Sequence, residues 1–221
     1  MLEVICIRHG EAESNLSSLE RGVVGSDLPL TEKGEWQARS AAEYLERLSL
    51  DGRIGSIPTT IYTSPYHRTR QTAEIIAKAL SRHVIVDYRL KEFQKGAWHG
   101  MRVADVVRME EAVPNVRRPE FRSPEGENWF DVANRMSALI DELEAQHEST
   151  IILVSHNHPI EMLIGHLLGK DVHEWETRPV TNGSITRIYK TDSLWHIDSE
   201  IYNYPYVMYR RPSLRANRPT R

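Results

Sequence analysis

Short apolar runs alternate along this 221-residue chain with longer stretches in which apolar residues recur every three or four positions. The runs at about 3–8, 59–63, 84–87 and 151–154 are too short for helices and rich in β-branched residues, so they read as strands. Two more strands fit near 184–190 and 194–200. Between the strands the spacing becomes helical. Thr31 is placed to cap a helix running to about Leu48, with Trp36, Ala41, Tyr44, Leu45 and Leu48 on its inner face. Ser64 as N-cap and Pro65 as first helical residue predict a second helix, to about Ser81. Further helical patterns cover 101–111, Glu127 to His147, and a stretch opened by Pro159 that runs to about Leu168. Asp51 to Pro58 reads as a loop and Pro114 to Pro124 as an irregular basic stretch. Strands alternating with helices predict an α/β fold: a three-layer sandwich, its six-stranded sheet mostly parallel with one antiparallel edge strand, and helices on both faces. No internal repeat or low-complexity segment interrupts the pattern.

The first run carries chemistry at its end. Val4-Ile5-Cys6-Ile7 leads straight into Arg8-His9-Gly10-Glu11. A buried parallel strand that delivers an arginine and a histidine at its C-terminal end puts them where open α/β sheets bind ligands. Arginine offers a planar fork for phosphate oxygens, and histidine a nitrogen nucleophile or an acid/base. Gly10 is expected to let the chain turn sharply and to leave room beside the imidazole.

Four further blocks follow in order. Glu13-Ser14-Asn15 and then Asp27-Leu28-Pro29-Leu30-Thr31-Glu32-Lys33-Gly34 continue the first strand's block. Ser64-Pro65-Tyr66-His67-Arg68-Thr69-Arg70-Gln71-Thr72-Ala73 is the next, then Leu90-Lys91-Glu92-Phe93 with Gly96-Ala97-Trp98-His99-Gly100, and last Ile151-Ile152-Leu153-Val154-Ser155-His156. Together they cover most of residues 3 to 190 and resemble the histidine phosphatase superfamily, which includes the cofactor-dependent phosphoglycerate mutases. The resemblance implies that His9 takes the phosphoryl group as phosphohistidine and that Glu92 is the proton donor. It also implies that Arg8, Asn15, Arg68 and His156 bind phosphate. Gly22 and Lys95 are candidate substrate contacts. No metal and no cofactor is implied. Neighbouring arginines favour the neutral, nucleophilic form of His9 by like-charge repulsion. His67, beside Arg68, reads as exposed.

Departures from the family pattern bear on the substrate. Asn157 and His158 follow His156 where the family usually has glycine next, which creates a His-x-His pair; asparagine tolerates a left-handed backbone there. Lys95 replaces an aromatic residue before Gly96 and is expected to bring a cation to the substrate mouth. Val103 stands where the mutases place a lysine, and Arg117-Arg118 sits in a poor context to imitate their arginine pair. These points favour a phosphatase acting on a small-molecule phosphomonoester over a mutase. Two remoter readings are a metal hydrolase using His9, His156 and His158, and a catalytically silent module that holds phosphorylated ligands.

Composition narrows the setting. At this length the chain suits one domain, residues 1–200, followed by a tail at 201–221 with five arginines, three prolines and no acidic residue. The tail reads as solvated; an arm onto a neighbouring subunit, and hence a homo-oligomer, or a patch for an anionic partner are the alternatives. A net charge of −3 argues against a general nucleic-acid binder. The single cysteine, Cys6, excludes an intrachain disulfide and is expected to be buried and inert. No apolar run approaches a membrane span and no signal peptide is visible, so a cytoplasmic protein is expected.

Overall fold

The computed structural model describes residues 2–16, 22–58, 60–113, 119–146, 149–173 and 180–198. The elements in chain order are β1 (Leu2–Arg8), α1 (Glu13–Leu16), α2 (Glu32–Leu50), β2 (Thr60–Thr63), α3 (His67–Leu80), β3 (His83–Val86), α4 (Val103–Ala112), α5 (Trp129–Ala145), β4 (Thr150–Ser155), α6 (Asn157–Leu167), β5 (Ile185–Thr191) and β6 (Leu194–Ile197). The tail at 201–221 and Arg117-Arg118 lie outside the described residues.

The six strands form one sheet in the order β3-β2-β4-β1-β5-β6. β1 to β4 run parallel; β5 runs antiparallel to both β1 and β6. The antiparallel pairing therefore falls at one edge, where β5 and β6 make a hairpin and β6 is the outermost strand. β1 and β4 are buried almost end to end, as continuous apolar strands covered on both faces must be.

The period of two along β1 divides the core. Leu2, Val4 and Cys6 face a cluster with Val132, Met136, Leu139 and Ile140 of α5 and Ile160 and Leu163 of α6. Ile5 and Ile7 face the other side, against Ala38, Ala41 and Leu45 of α2 and Ala73 and Ile76 of α3. The alanines let the two helices lie close to the sheet, and each buried Ile or Leu contributes about 1.5–3 kcal/mol. Cys6 is fully buried, which pushes its thiol up to about 12 and leaves no thiolate to react.

The helix starts depart from expectation in informative ways. Thr31 caps α2, its Oγ1 accepting from Gly34 N at 3.1 Å, and Asn128 caps α5 in a reciprocal pair with Asp131. Ser64 does not cap α3. That helix opens at His67 behind an extended Tyr66, and the buried Ser64 hydroxyl accepts from the Tyr66 amide at 3.4 Å, one residue ahead of the helix. α6 opens at Asn157, two residues before Pro159, which sits in the first turn where its missing N–H costs nothing. Asn157 is thus helical, and no left-handed residue is needed after His156. Gly10 is required for close approach, not for a left-handed turn: a Cβ there would lie 2.3 Å from the Gly34 carbonyl oxygen at the start of α2.

A buried ion pair locks β1 to β5. Glu3, 1 % exposed, accepts from Arg187 Nε at 2.7 Å and from Thr150 Oγ1 at 3.0 Å, and also from the Gly55 amide. Arg187 is held in turn by Asp198 at 3.2 Å. Arg187→Met would strand the Glu3 charge and is expected to cost about 3–5 kcal/mol. Urea unfolding should show a lower midpoint at unchanged slope. A midpoint equal to that of the unaltered protein would mean the pair carries no weight.

Candidate functional site

The C-terminal ends of the adjacent strands β1 and β4 set the site. Arg8 pairs with Ser155 in the strand register, and the His9 amide donates to the Ser155 carbonyl at 3.0 Å. His9 and His156 therefore emerge side by side, with ring centroids 5.2 Å apart and nearly edge to face. Arg68, from the first turn of α3, reaches between them. Its Nε donates to His9 Nε2 at 3.2 Å and its Nη2 to His156 Nδ1 at 3.2 Å. All three side chains are buried.

The donors fix the tautomers. A guanidinium can only donate, so His9 Nε2 and His156 Nδ1 must both accept. His9 then carries its proton on Nδ1 and donates to the Gly10 carbonyl at 2.7 Å. His156 carries its proton on Nε2 and donates to Ser64 Oγ at 2.9 Å.

The two imidazoles differ in access. His9 lines a cleft of about 270 Å³; His156 does not. Arg8, Asn15, Arg68, Glu92, Lys95 and His158 also line the cleft, with Val23, Val24, Phe93 and Val103 as apolar wall. Gly22 is not part of that lining; its carbonyl accepts from the Val103 amide at 2.8 Å. Asn15 is exposed at the rim, and its Oδ1 already accepts from Ala12 N at 2.8 Å. Lys95 reaches the cleft, but its ammonium is paired with Glu110 at 2.6 Å, so the cation expected at the mouth is largely neutralised.

Charge at the site follows from burial and neighbours. Burial, with Arg68 and Arg8 adding to it, lowers His9 to about 3, so the ring is neutral at any ordinary pH. His156 is held well below the usual histidine range for the same reasons. Arg8 donates through Nη1 to the Val180 carbonyl, while its Nε is buried with no hydrogen-bond partner among the described residues. Arg68 also donates to the Ser26 carbonyl at 2.9 Å and stacks over Tyr66 at 4.8 Å. Glu92 stands across the cleft, its Oε1 accepting from the Phe93 amide at 2.8 Å and 3.2 Å from His158 Nδ1. Burial alone would raise Glu92, but the charge and hydrogen bond of His158 outweigh it, and the carboxyl is held below its usual range.

Several participants were not visible in the sequence. Asn182 donates to the His9 carbonyl at 3.2 Å and to Asn15 Oδ1 at 3.4 Å. Ser26 from one loop, and Ser64 and Tyr66 from the turn before α3, hold Arg68 and His156, and Thr72 Oγ1 accepts from the Gly10 amide at 3.1 Å. No local spacing announces such contacts. The metal-hydrolase reading finds no constellation: His156 has both nitrogens engaged and His158 faces Glu92. Among the described residues no group of three or more His, Cys, Asp or Glu side chains is arranged to hold a metal ion. Nor is any helix among them long and apolar enough to cross a membrane.

A neutral histidine, two arginine forks and a carboxyl around one cleft define a phosphoryl-transfer type of site. The comparison with known proteins takes this further. The family profile described as histidine phosphatase superfamily (branch 1) matches residues 4–201. The chain is 35% identical over 199 residues to the "Probable phosphoglycerate mutase GpmB" of Proteus mirabilis (strain HI4320), with 88% of each chain covered. It is similarly 35% identical over 203 residues to the protein of that name from Escherichia fergusonii. Among solved structures it resembles a mycobacterial glucosyl-3-phosphoglycerate phosphatase complexed with VO3. That likeness has a TM-score of 0.75 at 26% identity, covering 93% of this chain and all of the other. The chain belongs to the histidine phosphatase superfamily, and it is an enzyme of that superfamily.

Proposed function

We propose that the protein hydrolyses a small phosphomonoester through a phosphohistidine on His9, without metal or cofactor. The observation that carries this is the unprotonated Nε2 of His9, which opens onto the same cleft as Arg8, Arg68 and Glu92. The substrate's phosphate oxygens dock on the two guanidinium groups, and Arg68 moves its Nε donation from His9 to the phosphate. His9 Nε2 attacks phosphorus as the ester oxygen leaves, and Glu92 supplies that oxygen with a proton. His156 stays behind Arg68, its Nδ1 accepting from that guanidinium and so orienting it, and Asn15 contacts the phosphate from the rim. Water then attacks the phosphohistidine, with Glu92 taking the proton.

Transfer to a second hydroxyl, as in a mutase, is the rival reading, and the names of the curated relatives favour it. The cleft speaks for water. A bisphosphorylated intermediate must be held while it re-orients, which needs further cations. Among the described lining residues the cations are Arg8 and Arg68, which the first phosphate occupies, Lys95, which Glu110 neutralises, and His158, which faces Glu92. Val103 is part of the apolar wall. The mycobacterial structural relative is itself called a phosphatase. In the presence of chelator, with 3-phosphoglycerate, catalytic 2,3-bisphosphoglycerate and a panel of monoesters, free phosphate is expected to be the main product. Formation of 2-phosphoglycerate much faster than phosphate release would establish the mutase reading instead.

A further inference from the structure

Glu92 poses a problem for the reading above. A proton donor must hold a proton, yet this carboxyl is ionised in the resting site. The nearest group able to hold one is His158, whose Nδ1 lies 3.2 Å from Glu92 Oε1. His158 stands two residues after His156, on the first turn of α6. Its ring packs at 5.9 Å from Phe93, which holds it against the Glu92 segment. Glu161, one turn further along α6, is buried 3 % exposed with Oε1 making no hydrogen bond among the described residues.

We propose that His158 is a positioning residue that stores the catalytic proton for Glu92, so that the pair works as one acid. This deepens the phosphohistidine reading and rests on it. When a phosphate dianion docks on Arg8 and Arg68, a second anion beside Glu92 favours the neutral carboxyl. The proton crosses from His158 Nδ1 to Glu92 Oε1, leaving neutral imidazole and carboxylic acid. As the His9–phosphorus bond forms and the ester bond breaks, Glu92 gives this proton to the departing alkoxide. In the second half, attacking water forms its bond to phosphorus, the nitrogen–phosphorus bond breaks, and Glu92 takes the water's proton. Return of that proton to His158 closes the cycle with no net change. The charges facing the pair support this direction. Against partial desolvation in the cleft and Lys95, Glu92 and Glu161 favour the imidazolium, and the half-exposed His158 stands above the ordinary histidine value. Arg8 and Arg68 are the cations that face Glu92 from the other side, with the neutral rings of His9 and His156 beside them.

Two measurements test this. In wild-type enzyme, kcat/KM for phenyl phosphate should fall at alkaline pH as His158 loses its proton. In His158→Gln, which keeps a donor but cannot store a proton, that fall should begin at lower pH. The ratio of phenyl to nitrophenyl phosphate turnover should drop about tenfold near pH 8, because the better leaving group needs the proton less. Independently of any substrate, the NMR titration midpoint of His158 should fall by about one pH unit in Glu92→Gln. A His158→Gln profile superimposable on wild type, equal losses for both esters at every pH, or an unmoved His158 midpoint would each overturn the proposal. Acid-labile phosphate trapped on wild-type enzyme alongside such a result would confine the failure to His158. Absence of any trapped phosphohistidine would overturn the underlying reading and this proposal together.

Discussion

His9→Ala is expected to lower turnover by a factor on the order of 10⁴ or more, because in the proposed mechanism His9 is the nucleophile and its removal removes the covalent route itself. The two site histidines could be confused, since both accept from Arg68. Their surroundings separate them. His156 gives its proton to Ser64 and does not reach the cleft, whereas His9 opens onto it with a lone pair. The pH dependence carries a sign. Because His9 is lowered to about 3, its protonation is not the cause of any acid limb observed above roughly that pH. The measurement is a trap with radiolabelled substrate. Wild type should retain acid-labile, base-stable phosphate and His9→Ala none. The variant's circular dichroism should be unchanged, since Arg68 keeps Ser26, Tyr66 and His156 as partners. Label that persists on His9→Ala and is lost in His156→Ala would exchange the two assignments.

How much of this could be read from the chain depends on the range of the interactions involved. β1 and β4 were legible because a strand buried on both faces must be apolar along its length, and their ends carry Arg8, His9 and His156 wherever the sheet places them. α2 was legible through Thr31, whose capping bond spans three residues. The start of α3 was misread because Ser64 has the local features of a cap, whereas Tyr66 stays extended and the Ser64 hydroxyl also meets His156, ninety-two positions away. Lys95 looked like a free cation because Glu110 meets it only once α4 has folded back. Gly10 looked like a turn residue, but its need for a missing side chain comes from Gly34, on another element. Asn182 gave no signal, because a loop asparagine is ordinary until β5 brings it beside His9. Residue types at strand ends thus survive translation into sequence, whereas the partners that tune them are set by tertiary packing.

Glu92→Gln is expected to lower kcat/KM by about 10²–10⁴-fold for an alkyl phosphate and far less for a nitrophenyl phosphate. The substitution keeps the shape of the side chain and an oxygen to accept the Phe93 amide, so geometry is disturbed little. What it removes is the ability to carry a proton. An alkoxide is a poor leaving group and needs that proton as the bond breaks; nitrophenolate leaves without it. The parameter matters, because kcat/KM reports steps up to the first irreversible one, whereas kcat can be limited by hydrolysis of the phosphohistidine. In the proposed mechanism that second step also needs Glu92, as base toward water. The variant should therefore release about one equivalent of nitrophenol per site in a rapid burst, then slow, with phosphate accumulating on His9. Trapped phosphohistidine in excess of the wild-type level would be the direct sign. Equal losses of kcat/KM across leaving groups of very different basicity, or steady release with no burst, would show that Glu92 does not move the proton. Its place opposite His9 would then be explained by electrostatic balance against Arg8 and Arg68 alone.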